Sequence, residues 1–255
     1  MPHFTKTGQG QPLILIHGFC ESKEIWFEMA EALAATHTVF AIDLPGFGDN
    51  PLPKKEISME SLAADMADWM EKERIESPIV IGHSLGGYVT LALAELLGPR
   101  LKGIGLFHST ALPDDAEKKH TRNKVIAFLE KNGIDPFLES FVPGLFAPSK
   151  AVHLESRIQW LIQEGKRSST AALIAYTAAM RDRKDRLDVW KHFLGKKLLI
   201  SGRLDTAVKI ENSRQLQPFA DIYLELEDAA HMGMFEEPEK SLEAIREFLD
   251  SLTLS

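Results

Sequence analysis

In the stretch Ile81-Gly82-His83-Ser84-Leu85-Gly86-Gly87 a serine stands with glycine two residues before it and two after. Serine is a weak nucleophile at neutral pH, so a reacting serine needs a base to take its proton. The flanks of Ser84 suit that role. The apolar run 78–81 reads as a buried strand, and a helix opens at Leu85, runs to about Leu97 and is closed by Gly98-Pro99. A chain that turns from strand to helix so abruptly strains the residue at the apex, and small residues on either side let the two elements approach. The hydroxyl then stands clear of the sheet at the C-terminal end of a strand, where open α/β sheets bind ligands. The helix N-terminus beneath it favours developing negative charge. The chemistry implied is nucleophilic attack on a carbonyl carbon. Nine histidines compete to be the base. His231, in Asp228-Ala229-Ala230-His231-Met232-Gly233, follows the last strand and falls in a loop at the same sheet edge as Ser84. His83 adjoins the serine, but a strained turn points neighbouring side chains apart, so it reads as structural.

The elements that must position these groups follow from hydrophobic period. Apolar runs at 13–16, 38–42, 78–81 and 104–107 are nearly continuous, as expected for parallel strands covered on both faces. Runs at 198–200 and 222–226 come late, and the last alternates as an edge strand does. Between them, Ser22 reads as an N-cap to a helix burying Ile25, Trp26, Met29 and Leu33. Ser58 starts another that buries Leu62, Met66, Trp69 and Met70, and a C-terminal helix from Pro238 buries Leu242, Ile245, Phe248 and Leu249. Alternating strands and helices with short joints predict a doubly wound, mostly parallel α/β sheet. Residues 112–190 break the pattern. They hold no convincing strand but helical segments near 114–132, 149–164 and 168–182, separated by Gly133, Pro136, Pro143-Gly144 and Gly165. They read as a helical cap inserted between core segments 1–111 and 191–255.

Several classes are disfavoured. A net charge of −8 argues against a nucleic-acid partner, since phosphate binding needs a basic surface. The single cysteine, Cys20, cannot make an internal disulfide. Met1 to Gly10 lacks the apolar core of a signal peptide and no run approaches a membrane span, so a cytoplasmic protein without membrane insertion is expected. Histidines and carboxylates lack ligand spacing, so no metal and no cofactor is expected. The run Glu117-Lys118-Lys119-His120 reads as a solvated helix face, and Gly8-Gln9-Gly10 as a turn between N-terminal strands.

With His17-Gly18-Phe19, Asp43-Leu44-Pro45-Gly46-Phe47-Gly48, the elbow around Ser84, Gly202-Arg203-Leu204-Asp205 and the late His231, the chain resembles the α/β-hydrolase family over nearly its whole length. The resemblance implies a serine hydrolase with an inserted cap and needing no cofactor. Its order of serine, acid and histidine matches Ser84, Asp205 and His231. It implies an oxyanion hole formed by the N–H groups of Phe19 and Leu85, His17 as support for that loop, and Asp43 as a structural loop residue. Some relatives take the acid from the preceding strand, which leaves Asp114 or Asp115 as the alternative. Val208 stands where many relatives carry proline, and Ala230 where glycine is common.

The default substrate is a small, hydrophobic carboxylic ester. Thioesters, carbon–carbon bonds beside a ketone, and perhydrolase or haloperoxidase chemistry are variants on the same triad, and a ligand receptor on the same scaffold is a further alternative. A serine at position 84 argues against epoxide hydrolysis, which needs a carboxylate nucleophile. Cap residues Phe137, Phe141, Phe146, Trp160, Tyr176 and Met180 are expected mainly to pack the cap, with a minority roofing Ser84. His108 reads as a pocket wall or core residue, and Cys20 as a small neutral filler. The oligomeric state stays open.

Overall fold

The computed structural model describes residues 2–252. Its strands are β1 (His3–Thr7), β2 (Gln11–Ile16), β3 (His37–Asp43), β4 (Ile79–His83), β5 (Gly103–Phe107), β6 (Lys196–Gly202) and β7 (Ile222–Leu226). They form one sheet in the order β1-β3-β2-β4-β5-β6-β7. Only β1 runs antiparallel to its neighbour; every other pair is parallel. The near-continuous apolar runs account for this: β4 and β5 are buried along their whole length, as strands with both faces covered must be.

The helices are α1 (Phe27–Leu33), α2 (Met59–Lys72), α3 (Leu85–Leu97), α4 (Ala116–Asn132), α5 (Ile134–Phe141), α6 (Pro148–Ala151), α7 (Glu155–Lys166), α8 (Thr170–Arg181), α9 (Leu187–His192), α10 (Ile210–Leu216), α11 (Gly233–Glu236) and α12 (Pro238–Ser251). Those between the strands cover both faces of the sheet, the doubly wound arrangement expected from the alternation of elements. On one face α2 packs along α3; on the other α12 lies over β6 and β7, and its Arg246 donates to the Ala32 carbonyl of α1. No helix among the described residues is long and apolar enough to cross a membrane.

The chain order reverses between β2 and β4, which are neighbours although β3 intervenes in sequence. Ile16 pairs with Gly82 there. At such a switch point the loops leaving two adjacent strands diverge and open a crevice at their C-terminal ends. The loop after β2 carries His17-Gly18-Phe19 and the turn after β4 carries Ser84, so both predicted motifs flank one crevice.

Local differences from the expected elements have simple causes. The chain after Ser22 first makes a 3-10 turn, Lys23–Trp26, before α1, yet buries the same face, with Ile25, Trp26, Met29 and Leu33 inside. Helix α5 departs from the sequence expectation, in which Pro136 separates helical segments. The proline lies in the helix's first turn, where its missing N–H leaves no bond unmade. The expected helix over 149–164 is split into α6 and α7. Among the described residues no strand falls between Phe107 and Lys196. Helix α9, near the end of that stretch, packs on α3 and α10, with Trp190 Nε1 donating to the Leu216 carbonyl.

Candidate active site

Ser84 caps α3 with φ 49° and ψ −113°, a region that L-residues avoid. The strain is held on both sides: its N–H donates to the Phe107 carbonyl (2.9 Å), and its carbonyl accepts from Ser109 Oγ (2.7 Å). Glycine is required around it by contact. A Cβ on Gly82 would lie 2.2 Å from the Gly86 carbonyl carbon, and one on Gly86 would lie 2.4 Å from the Ile16 oxygen. Both obstacles are backbone and cannot swing aside. Gly86→Ala is therefore expected to displace the elbow and slow phosphonate labelling of Ser84 by about tenfold or more, a loss that labelling kinetics would read. Leu85 is the first residue of α3, so its N–H has no acceptor within the helix.

His231 and Asp205 meet in the interior. The His231 Nδ1–H donates to Asp205 Oδ2 at 2.7 Å, and Asp205 Oδ1 accepts from the Ala207 and Val208 N–H groups at 2.8 and 2.9 Å. Burial opposes the Asp205 charge, but His231, with a further contribution from His108, outweighs it and holds this carboxyl well below the usual range. With Nδ1 engaged, His231 keeps Nε2 as the nitrogen able to take a proton. The two alternative acids are otherwise employed. Asp114 is held by Arg122 and Arg183 (3.0 and 2.6 Å), and Asp115 caps α4 by accepting from the Lys118 N–H.

The histidine loop is also tied from outside. The buried Glu236 carboxylate accepts from the N–H groups of Ala230 and Met232, on either side of His231, and of Ala147; the His231 N–H itself donates to the Leu145 carbonyl. Sequence inspection missed Glu236, which stands beside Glu237 before Pro238 with nothing local to single it out.

The loop after β2 is set by His17. Its Nε2 accepts from the Leu44 N–H (3.0 Å), so Nδ1 carries the proton and donates to the Gly18 carbonyl (2.7 Å). Burial lowers the His17 pKa and keeps the ring neutral, as this tautomer requires. Because the Gly18–Phe19 peptide is planar and trans, fixing its carbonyl aims the Phe19 N–H the opposite way. That N–H has no acceptor among the described residues. The Phe19 ring rests against Phe47, Phe137 and Phe141.

Other candidates have definite places. Asp43 anchors the buried Lys23 ammonium at 2.8 Å, with Asp49 on its other side. Among the described residues Asp43, Asp49 and His3 form one of two groups whose atoms approach metal-ligand spacing, and the Lys23 ammonium is bound to both of its carboxylates. In the other, His108, Asp205 and His231, the shared carboxylate oxygen is already taken by the hydrogen bond from His231. His108 is fully buried at φ 47°, with Nδ1 3.4 Å from Asp205 Oδ2 but outside hydrogen-bonding geometry. Burial depresses its pKa to about 4, so it is neutral near pH 7. Cys20 is buried and burial raises its thiol pKa, which leaves it a poor nucleophile.

A cleft of about 550 Å³ is lined by Val125, Phe128, Phe137, Phe141, Leu145 and Ala207 among others; Ser84, Asp205 and His231 do not line it. Its lining residues contact the site's neighbours: the Phe137 and Phe141 rings meet Phe19, the Leu145 carbonyl accepts from the His231 N–H, and the Ala207 N–H donates to Asp205.

Known proteins share this architecture. A thermophilic esterase from Thermogutta terrifontis superposes with a TM-score of 0.92 at 27% identity, covering 98% of this chain and 93% of that one. The dihydrolipoyllysine-residue acetyltransferase component of the acetoin cleaving system of Pseudomonas putida is 28% identical over 246 residues, 94% of this chain but 64% of its own length. The bifunctional epoxide hydrolase 2 of Mus musculus is 33% identical over 118 residues, 45% of this chain and 21% of its own length. The chain thus spans less than two thirds of these two curated relatives. A family model described as alpha/beta hydrolase fold matches residues 11–238. The chain belongs to the alpha/beta hydrolase fold family.

Proposed function

We propose that the protein is a serine hydrolase that cleaves small carboxylic esters with a hydrophobic acyl or alcohol part. The observation that carries this reading is the 2.7 Å bond between His231 and Asp205 at the sheet edge where Ser84 stands strained at φ 49°. His231 Nε2 takes the Ser84 proton as Oγ bonds to the ester carbon, and the carbonyl electron pair moves to oxygen. The Phe19 and Leu85 N–H groups stabilise that oxyanion; one such donor is worth about a hundred- to a thousandfold in rate. Collapse of the intermediate expels the alcohol, which takes the proton from His231. Water, deprotonated by the same nitrogen, then attacks the acyl-enzyme and releases the acid and free Ser84. Asp205 stabilises the imidazolium at both steps.

Residues 112–190 act as the cap in this reading, with Phe137 and Phe141 forming the apolar wall that favours a hydrophobic group. Serine as the nucleophile separates the chain from the epoxide hydrolase it resembles in part. A cytoplasmic location is proposed on the unpaired Cys20.

Nitrophenyl esters and thioesters of increasing acyl length, with a serine-directed phosphonate as titrant, test the function. Stoichiometric labelling at Ser84 and kcat/KM that climbs with chain length are expected, and Phe141→Trp, which narrows the cleft, should move the optimum to shorter chains. No turnover and no labelling would overturn the hydrolase reading, single-turnover processing would favour a receptor, and faster thioester cleavage would change the substrate class.

A further inference from the structure

Beneath the proposed oxyanion loop lies a buried pair that the mechanism above does not use. Glu21 is 2% and His83 0% exposed. One carboxylate oxygen, Glu21 Oε2, accepts from the Gly18 N–H at 2.6 Å and faces His83 Nδ1 at 2.9 Å. The other ring nitrogen, His83 Nε2, lies 2.9 Å from the carbonyl oxygen of His231. Both ring nitrogens therefore face acceptors that have no proton to give. A neutral imidazole has one N–H and could serve only one of them, turning its lone pair toward the other. The geometry asks for both protons.

We propose that Glu21 and a doubly protonated His83 are a positioning pair, locking the Gly18-Phe19 loop to the main chain of His231 and so holding the oxyanion donor and the base in one frame. The inference rests on the hydrolase reading. Neither residue touches substrate; they act through the peptide on one side and the histidine backbone on the other. His83 directly precedes Ser84, so the same ring also ties in the elbow.

The surroundings agree. Burial opposes charge on His83, but the Glu21 carboxylate and its hydrogen bond more than offset it, with the His231 carbonyl and the more distant Asp205 adding to the effect, and the imidazole pKa is raised. Burial likewise opposes the charge on Glu21, and His83, with His17 behind it, lowers that pKa overall. The other titratable groups facing His83 are the rings of His231 and His108, with centroids 4.9 and 6.1 Å away. Trp26 and Phe107 close the remaining sides edge-on and exclude water. Since the folded-state pKa of His83 is raised, the lock is complete below the ordinary imidazole range and opens only as pH rises through the raised value.

Glu21→Gln removes the charge while keeping shape and an acceptor for Gly18. Only the His231 carbonyl and the more distant Asp205 then oppose burial at His83, the ring becomes neutral, and one of its two bonds is lost. We expect kcat on a nitrophenyl ester to fall by up to about a hundredfold near neutral pH, where the wild-type His83 is charged and the variant's is not, the scale of a small misplacement of reacting groups, with KM little changed. Lowering the pH should restore the imidazolium, so the ratio of variant to wild-type rate should climb toward acid. A ratio that is constant with pH, or close to one throughout, would overturn the proposal.

A measurement on wild-type protein does not depend on the variant folding. With nitrogen-15 and carbon-13 labelling, and the His83 ring signals assigned through bonds in the wild type, both ring nitrogens should be protonated across the neutral range. A neutral His83 there would overturn the proposal as well. If the wild type neither cleaves esters nor takes up the phosphonate, the hydrolase reading has failed, and the nitrogen signals still decide the pair on their own.

Discussion

Ser84→Ala should abolish ester turnover, with a loss on the order of 10⁴ to 10⁶ in kcat, because the nucleophile and its base act as one unit and neither compensates for the other. The backbone need not change: Ser84 is held by its own N–H and carbonyl, through Phe107 and Ser109, and alanine keeps both. Thermal unfolding should therefore stay near that of the wild type. Ser84→Gly should be equally inactive yet more stable than Ser84→Ala, by about 1 kcal/mol, because glycine adopts positive φ without the penalty that a Cβ brings. Retained turnover in either variant would mean that another group attacks the ester.

Asp205→Asn is expected to cost about four orders of magnitude in kcat: with its oxygen kept toward the Ala207 and Val208 N–H groups, the amide donates to His231 Nδ1, which puts the ring proton on Nε2, and a neutral amide cannot stabilise the imidazolium. The comparison variant is Asp114→Asn. Asp114 is committed to Arg122 and Arg183, so its loss should weaken the fold and leave kcat within about tenfold; removing one partner of a buried ion pair typically costs about 3–5 kcal/mol. The reverse pattern would move the acid to the earlier strand. The pH dependence of stability gives a separate check. The Asp205 pKa is depressed in the folded state, so its contribution is present at neutral pH and is lost as pH falls through the ordinary carboxylate range toward the folded value. The Tm difference between wild type and Asp205→Asn should shrink as the solution is acidified.

The elbow was legible in the sequence because its requirements are local. Gly82, Ser84 and Gly86 lie within five residues, and contacts between β4 and α3 dictate their sizes. The parallel strands were legible for a similar reason: a segment covered on both faces must be apolar throughout. The caps were plain where one side chain meets a nearby backbone, as at Ser58, which accepts from the Ser61 N–H at the start of α2.

Helix α5 was not legible, since Pro136 breaks or begins a helix according to where the first turn falls. Glu21, His83, Glu236 and Leu145 were illegible for a different reason. Each works at least in part through a partner far away in the chain: Glu21 and His83 are 62 residues apart, the His83 ring reaches the carbonyl of a residue 148 positions later, and Glu236 reaches Ala147, 89 positions before it. No local pattern records such a pairing, because it arises only when the sheet brings the ends of β2, β4 and β7 to the same edge.

The amino-acid sequence alone determined most of the elements, where the chain must bend too sharply for anything but small residues, and which side chains have the chemistry to attack a carbonyl. The tertiary structure decided which carboxylate His231 bonds to, which nitrogen of His17 carries the proton, and that a buried acid and imidazole lie between the two loops. The physical reason is range. Secondary structure and strained turns answer to neighbours a few residues away, whereas the protonation and orientation of buried polar groups depend on whatever packing brings within about 3 Å of them.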